Sequence, residues 1–574
     1  MYILGLNAYH GDSSACLVAD GKLVCAIEEE RIRRIKHWAG LPTESIRWCL
    51  GYAGIDISDI DYIAISRNPS AHLHKKILRV LTKTPSLNFL KNRLQNVSKV
   101  TDIKTTIAAA LGTHVSDIRA KVQNVEHHRA HIGSAFLVSP FDESLCVSVD
   151  GFGDFLSSMR GIGRGNKIEI LDWVEYPHSL GIFYTAFTQF LGFSRYGDEY
   201  KVMGLSAFGE AAYLDKMKNI VRLKDNGLFE IDTSFFLHDK EGVDMVWENG
   251  EPTLGRLFSD KVFELFGKPR ETEEEITRHH QDIASSVQAM YEEAFFHMLK
   301  DIYQKTGIDK LTLAGGCIQN SLANGKVFEK TPFKEIYIPP ASYDAGTAIG
   351  AAFWVWSVML GNERDFIMDK PYWGPEFTDR EIEGILKNKG IRYEKLNDSE
   401  LFIRTARDIA NGKIIGWFQG RTELGPRALG NRSILADPRD KRIKDILNER
   451  IKRRENFRPF APSVIEGFVS KWFEGSYPTP FMEKVYRVRP EKRQLIPAVV
   501  HTDGTGRLQT VSESINRRYY RLIEEFYRLT GVPMVLNTSF NENEPIVNTP
   551  LDALECFLRT KMDVLVLENY CVLS

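Results

Sequence analysis

Residues 2–27 read YILGLNAYHGDSSACLVADGKLVCAI. The apolar runs 2–7, 15–19 and 23–27 have the length and composition of strands. Asp20-Gly21-Lys22 supplies a turn between the second and third, and the polar stretch 7–14 links the first two. The plan recurs at 145–174, LCVSVDGFGDFLSSMRGIGRGNKIEILDWV. There, strand 145–149 leads through an acidic, glycine-rich loop (150–154) to strand 155–162, then through the turn 163–166 to strand 168–174. Two copies of a strand–loop–strand–turn–strand unit predict a duplicated α/β fold, with two unrelated meanders as the alternative.

Outward from these units, strands and helices alternate. A buried strand at 311–314 ends in Gly315-Gly316, 335–338 is another strand, and 345–360 reads as a buried helix. This predicts mostly parallel or mixed sheets with helices packed on them. Gly361, Pro371, Gly374 and Pro375 punctuate a polar stretch without periodicity. The expected domains are therefore 1–360 and 401–574, with 361–400 as a linker region. In the second, 413–418, 533–536 and 564–567 read as strands and 441–453 as a helix.

Composition narrows the class. A chain of 574 residues calls for more than one core, and 43% hydrophobic with 26% charged residues is the balance of a globular protein. A formal net charge of −2 gives no general attraction to nucleic acid or anionic membrane. Seven scattered cysteines without a C-x-x-C pair argue against a disulfide framework or zinc ribbon, and a reducing, cytoplasmic setting is expected. No signal peptide or membrane span is read from the sequence.

Several residue groups have chemical potential. In Glu126-His-His-Arg-Ala-His131, His127 and His131 lie four apart and share a helix face, the spacing of a two-imidazole metal site. His128 also falls near that face, so spacing does not choose the first ligand. Asp344 opens the helix at 345–360, either as a third ligand or as a plain cap. Gly315-Gly316-Cys-Ile-Gln-Asn320 lies where a strand feeds a helix, which permits close approach of a nucleotide. From Arg421 to Arg458 there are twelve Lys/Arg against six Asp/Glu. Arg421, Arg427 and Arg432 sit among glycines, suited to bidentate phosphate contacts, and Lys452, Arg454 and Arg458 add charge. Asn537-Thr538-Ser539 ends a strand with groups that can hold oxyanions or a magnesium–phosphate unit.

Taken in order, LNAYHGDSSA (6–15), EHHRAH (126–131), DEYKVMGLSAFG (198–209), GGCIQN (315–320), SYDAGTAIGAA (342–352), GRTELGPRALGNRSILADPR (420–439), KRRENFRPFAPS (452–463), HTDGTGRLQTV (501–511) and NTSFNENEPIV (537–547) resemble the NodU/CmcH-type O-carbamoyltransferases. The resemblance covers nearly the whole chain. It implies an N-terminal half of the actin/Hsp70/sugar-kinase fold, similar to the metal-binding ATPase of tRNA threonylcarbamoylation, and a C-terminal YrdC-like domain. The latter joins carbamoyl phosphate and ATP to give carbamoyl-AMP and pyrophosphate. The former passes the carbamoyl group to a hydroxyl of a small molecule, such as a natural product or sugar.

By this resemblance His127, His131 and Asp344 hold a divalent metal, iron(II) before zinc, and Mg2+ accompanies ATP. His10 is the general base near the acceptor. Gly315, Gly316 and Asn320 line the nucleoside, with Asp150, Glu199 and Lys201 nearby. Lys452, Arg454 and Arg507 form the cationic adenylation site, joined by Arg421, Arg427 and Ser539. Neither nucleic acid nor membrane is an expected partner, and a homo-oligomer is allowed. One departure is visible: a glycine is expected before Glu544-Pro545, where this sequence has Asn543. The competing classes are a tRNA threonylcarbamoyl enzyme, a hydrogenase-maturation carbamoyltransferase and a non-catalytic nucleotide sensor.

Overall fold

The computed structural model describes residues 1–82, 102–243, 245–246 and 250–573. The chain forms two compact units, Met1–Met368 and Asp369–Ser574.

In the first unit, strands β1 (Tyr2–Asn7), β2 (Ser14–Ala19) and β3 (Lys22–Glu28) make an antiparallel meander. Asp20 (φ 46) and Gly21 (φ 77) form its turn, both left-handed as a tight hairpin requires. β4 (Tyr62–Ile65) and β5 (Lys121–Asn124) add on parallel, giving the order β3-β2-β1-β4-β5. The second sheet repeats this. β6 (Glu143–Gly153), β7 (Leu156–Arg164) and β8 (Lys167–Glu175) form the meander, and β9 (Lys310–Ala314) and β10 (Glu335–Tyr337) the parallel additions, in the order β8-β7-β6-β9-β10. Two sheets of the same order and orientation are the duplicated actin/Hsp70/sugar-kinase-like architecture.

Between the sheets, helix α1 (His127–Phe136) packs against α2 (Thr347–Phe353) at backbone distance. A Cβ on Gly350 would lie 1.8 Å from the Ala130 carbonyl oxygen, so only glycine lets the two helices meet there.

In the second unit, a pair of short strands, Tyr486–Arg487 and Thr505–Gly506, stands apart from eight others: β11 (Glu394–Lys395), β12 (Ile415–Phe418), β13 (Arg432–Ala436), β14 (Ala461–Ile465), β15 (Gln509–Val511), β16 (Met534–Ser539), β17 (Val564–Leu567) and β18 (Tyr570–Leu573). These eight form one mixed sheet in the order β11-β18-β17-β12-β13-β16-β14-β15. Trp417, Leu435, Phe526, Val535 and Leu565 belong to its core.

Four expectations are corrected. The 150–154 loop is shorter: β6 runs to Gly153, and a two-residue turn at Asp154 (φ 47) and Phe155 (φ 83) closes the hairpin. The 345–360 helix divides into a 3-10 turn (Asp344–Gly346), α2 and a π-helical stretch (Trp354–Met359). The 441–453 helix likewise divides into Ile443–Ile446 and a π-helical Leu447–Lys452, ending at left-handed Arg453 (φ 42). Finally, the 361–400 stretch is not a free linker beyond Met368. It carries helix α3 (Asp379–Asn388), which buries Ile382 and Leu386 in the second core behind a Thr378/Glu381 capping box. Among the described residues all seven cysteines are free thiols, and no helix is long and apolar enough to cross a membrane.

Candidate functional site

The N-terminus of α1 is fixed from two sides. Glu126 caps it, its carboxylate accepting the N–H groups of His128 and Arg129. Asp154 accepts the N–H of His127 (3.0 Å) and of Asn68 (2.7 Å), tying the β6–β7 turn to the helix. One turn of helix then brings His127 Nε2 within 3.1 Å of His131 Nε2. Asp344 arrives from the segment leading into α2, with Oδ1 3.6 Å from His127 Nε2 and 3.4 Å from His131 Nε2. Asp150, on β6, places Oδ2 3.3 Å and 3.8 Å from the same two nitrogens.

One ligand atom from each of these four residues falls within 4.8 Å of all the others. Donors about 2.0–2.2 Å from a single ion stand roughly 3–3.5 Å apart, so the set suits one divalent cation. Two imidazoles with one or two carboxylates suit iron(II) or zinc. The Nδ1 atoms of both histidines are buried without a hydrogen-bond partner among the described residues, so packing sets the ring planes. A Cβ on Gly153 would come within 2.0 Å of the His127 ring.

The electrostatics agree with the geometry. Burial works against charge on His127, but its hydrogen bond to Asp150 and the charge of Asp344 outweigh that and raise it to about 9. Burial and the neighbouring Asp150 push Asp344 up, but His10, His131 and His127 reverse this and hold it well below the usual carboxylate range. Two imidazoles and two carboxylates thus balance each other, and a cation would take the place of the protons. Spacing left His128 open, and the structure turns it away. Its Nδ1 lies 2.8 Å from Ser148 Oγ, and burial beside His127 and His131 lowers it to about 3.

His10 stacks on His127, with ring centroids 4.9 Å apart and planes 15° apart. Its Nδ1 is 3.7 Å from Asp344 Oδ2, and burial lowers its pKa despite that carboxylate. A neutral imidazole at the edge of the cluster can accept a proton.

Asp150 joins the cluster to the neighbouring glycine turn, its Oδ1 accepting the Gly316 N–H at 2.7 Å. The resemblance put Asp150 near the nucleoside, and the structure places it in the His/Asp cluster. Gly315 is left-handed (φ 103). Asn320 is committed to structure: it caps helix Ser321–Gly325 and exchanges two amide hydrogen bonds with Gln288. Glu199 accepts from the Thr185 hydroxyl at 2.6 Å, and burial raises its pKa. Lys201 pairs with Asp198 at 3.1 Å.

The second unit holds a different site. Arg507 is pushed down by burial and then by the charges of Arg427, Arg454 and Arg458. Its Nε is buried without a partner. The charges of three further guanidinium groups thus bear on Arg507, which no carboxylate pairs with among the described residues, and such a site suits an anionic ligand. Arg458 is the member that the sequence assigned least, although it stands in the same KRRENFRPF block.

Arg421 is not among them. It donates to the carbonyls of Gly374 (3.0 Å) and Trp373 (2.5 Å). Arg432 is fully buried over the Phe418 ring and holds backbone carbonyls. Glu423 organises this loop, one oxygen accepting the N–H groups of Leu429, Asn431 and Arg432. Lys452 is buried, and its ammonium reaches Ser539 and Asn541, each through a carbonyl and a side-chain oxygen (2.5–3.2 Å). It holds the turn after β16 instead of standing open to a phosphate, and Ser539 belongs to the same turn.

Comparison with known proteins bears on both units. Residues 2–353 match the family model for the carbamoyltransferase N-terminus, and 406–574 match that for the carbamoyltransferase C-terminus. Nodulation protein NolNO of Sinorhizobium fredii is 40% identical over 573 residues, covering 99% of this chain and 79% of that one. An uncharacterized protein of Synechocystis sp. is 39% identical over 607 residues, 99% of this chain and 96% of its own. Among solved structures, HypF of T. kodakarensis aligns with 63% of this chain and 48% of its own at a TM-score of 0.32 and 13% identity. The two matched models together span nearly the whole sequence, and the chain belongs to the carbamoyltransferase family.

Proposed function

We propose that the protein is an ATP-dependent O-carbamoyltransferase working in two half-reactions. In the second unit, carbamoyl phosphate, ATP and water give carbamoyl-AMP, pyrophosphate and phosphate. In the first, the carbamoyl group passes to a hydroxyl of a small molecule, and AMP leaves. The observation that carries this reading is the pairing of a four-ligand His/Asp cluster with a separate arginine cluster in a carbamoyltransferase chain.

Arg427, Arg454, Arg458 and Arg507 offset the repulsion between two anionic substrates. Lys452 acts by fixing the Ser539–Asn541 turn. In the first unit, His127, His131, Asp344 and Asp150 would hold a divalent metal, iron(II) or zinc, which supplies Lewis-acid polarisation of a carbonyl or phosphoryl oxygen. His10, neutral and next to that cluster, takes the proton of the attacking hydroxyl. Asp344 steadies the His10 ring through Nδ1. The Gly315-Gly316 turn is the expected seat of the nucleoside, held to the cluster through Asp150.

The test is pyrophosphate release from ATP and Mg2+, with and without carbamoyl phosphate, in the absence of acceptor. Release that depends on carbamoyl phosphate is expected. If ATP binds but no release occurs, another acyl donor or a nucleotide sensor takes its place. tRNA binding with a steep salt dependence would favour the threonylcarbamoyl reading instead.

A further inference from the structure

His10 stands on the turn between β1 and β2, and the two residues that bracket this turn reach past it. Asn7 ends β1, Ser14 begins β2, and the two pair across the hairpin. Both are buried, at 0% and 1% exposure. The Asn7 amide donates to the carbonyls of Gly11 (3.1 Å) and Asp12 (3.0 Å). Carbonyls only accept, so Nδ2 faces them and Oδ1 points the other way. These two bonds fix the shape of a turn in which Tyr9 (φ 62) and Asp12 (φ 57) are left-handed without being glycine. Such a backbone persists only where its surroundings hold it.

On its other side, Asn7 Oδ1 lies 3.3 Å from the hydroxyl of Ser66, just past β4. Ser66 Oγ is 2.8 Å from Thr347 Oγ1, which is 2.6 Å from the carbonyl oxygen of Asp344. That carbonyl takes the Thr347 proton, and the Ser66 proton faces both Thr347 Oγ1 and Asn7 Oδ1. Ser14 makes a second tie directly, its hydroxyl donating to the Ala345 carbonyl at 2.7 Å. Both ends of the His10 turn are therefore bonded to the backbone of residues 344 and 345. The pairing of β1 with β2 uses backbone groups alone, so these side-chain bonds set where the turn sits relative to Asp344, not whether the hairpin forms. The contact they govern is a loose one. His10 Nδ1 and Asp344 Oδ2 are 3.7 Å apart, beyond ordinary hydrogen-bond length, and a pair so spaced depends on its backbones for alignment.

We infer that Asn7 and Ser14 clamp the His10 turn to Asp344, as positioning residues that keep the imidazole in line to take the proton of the attacking hydroxyl. Ser66 and Thr347 relay the Asn7 arm of the clamp. This rests on the reading of His10 as the general base. The other three members of the cluster, His127, His131 and Asp150, stand on α1 and β6 and make none of these ties, so the clamp acts on the base and not on metal retention.

The test follows AMP release from supplied carbamoyl-AMP by the full-length protein, with glycerol as the probe hydroxyl, together with the divalent metal content of each variant. Ser14→Ala is expected to lower kcat about 10-fold and Ser66→Ala about 3- to 10-fold, with KM for carbamoyl-AMP and metal content changing less than about 2-fold. Asn7→Asp has no N–H for the two turn carbonyls and is expected to lower kcat about 100-fold. Should that variant not fold, the two serine variants carry the test. In a His10→Ala background each substitution is expected to cost less than about 2-fold more, because the group it positions is gone. An equal loss in both backgrounds, metal content that falls in step with kcat, or a wild-type rate in either serine variant would overturn the clamp while leaving His10 as the base. Wild-type protein no faster than His10→Ala would overturn the general-base reading, and this assignment with it.

Discussion

The two candidate sites solve opposite electrostatic problems. In the first unit, His127, His131, Asp150 and Asp344 carry charges that cancel, and each group is held by the others. In the second, Arg427, Arg454, Arg458 and Arg507 share one sign. A balanced cluster stays organised without its ligand and gains from a cation that displaces protons. Glu455, 3.6 Å from Arg458, offsets part of that repulsion, and an entering anion would offset more. On the proposed scheme, stabilising a leaving adenylate and first joining two anions would call for these two different environments.

The sharpest way to break the comparison is to disable one site and watch the other. His127→Ala removes a member of the cluster and the ring on which His10 stacks. Carbamoyl transfer is expected to fall at least ~100-fold, together with the divalent metal content of the purified protein. Carbamoyl-phosphate-dependent pyrophosphate release should stay within about 2-fold. Next in size, Arg507→Ala is expected to lower pyrophosphate release about 100-fold and to leave transfer from supplied carbamoyl-AMP nearly unchanged. If either substitution reduced both half-reactions equally, the division of labour would be wrong.

Legibility in the sequence followed the kind of signal each site sends. The i, i+4 spacing of His127 and His131 is local, and a helix turns it directly into geometry. The duplicated meander was readable because strand periodicity and turn residues recur at 2–27 and 145–174. Asp150 as a fellow member of the cluster was not readable, because a strand residue meets a helix only through packing. Nor was the fate of the arginines. Arg421, Arg427 and Arg432 look alike in GRTELGPRALGNR, yet two hold carbonyls and one joins the guanidinium cluster. What separates them is Glu423, whose carboxylate folds the loop by gathering three N–H groups, an arrangement with no periodic trace. The helix α3 within 361–400 was hidden because only Ile382, Ile385 and Leu386 mark its apolar face.

A milder break acts on the frame. Gly350→Ala would put a Cβ 1.8 Å from the Ala130 carbonyl oxygen, in the helix that carries both histidines. The helices must then separate, at a cost of about 1–3 kcal/mol. The expected result is a thermal transition lowered by roughly 2–8 °C and weakened metal retention, with pyrophosphate release unaffected. Unchanged unfolding would mean that the α1–α2 contact is looser than its geometry implies.

The smallest expected effect concerns Asn543, where a glycine was expected. A glycine would be required there only if the backbone were left-handed, and Asn543 is not among the residues with positive φ. The turn is secured on either side instead. Glu542 pairs with Arg453 (3.2 Å) and Arg559 (3.0 Å), and Glu544 meets Arg559 at 2.5 Å. Both arginines are about half exposed, so these pairs are weak and screened by salt. Asn543→Gly should therefore only add freedom to the unfolded chain, lowering stability by about 0.4–1 kcal/mol. Pyrophosphate release should stay within about 2-fold, because Lys452 still holds Ser539 and Asn541 on the near side of the turn. A larger loss of release at unchanged stability would show that the turn, and not the arginine cluster alone, sets the rate in the second unit.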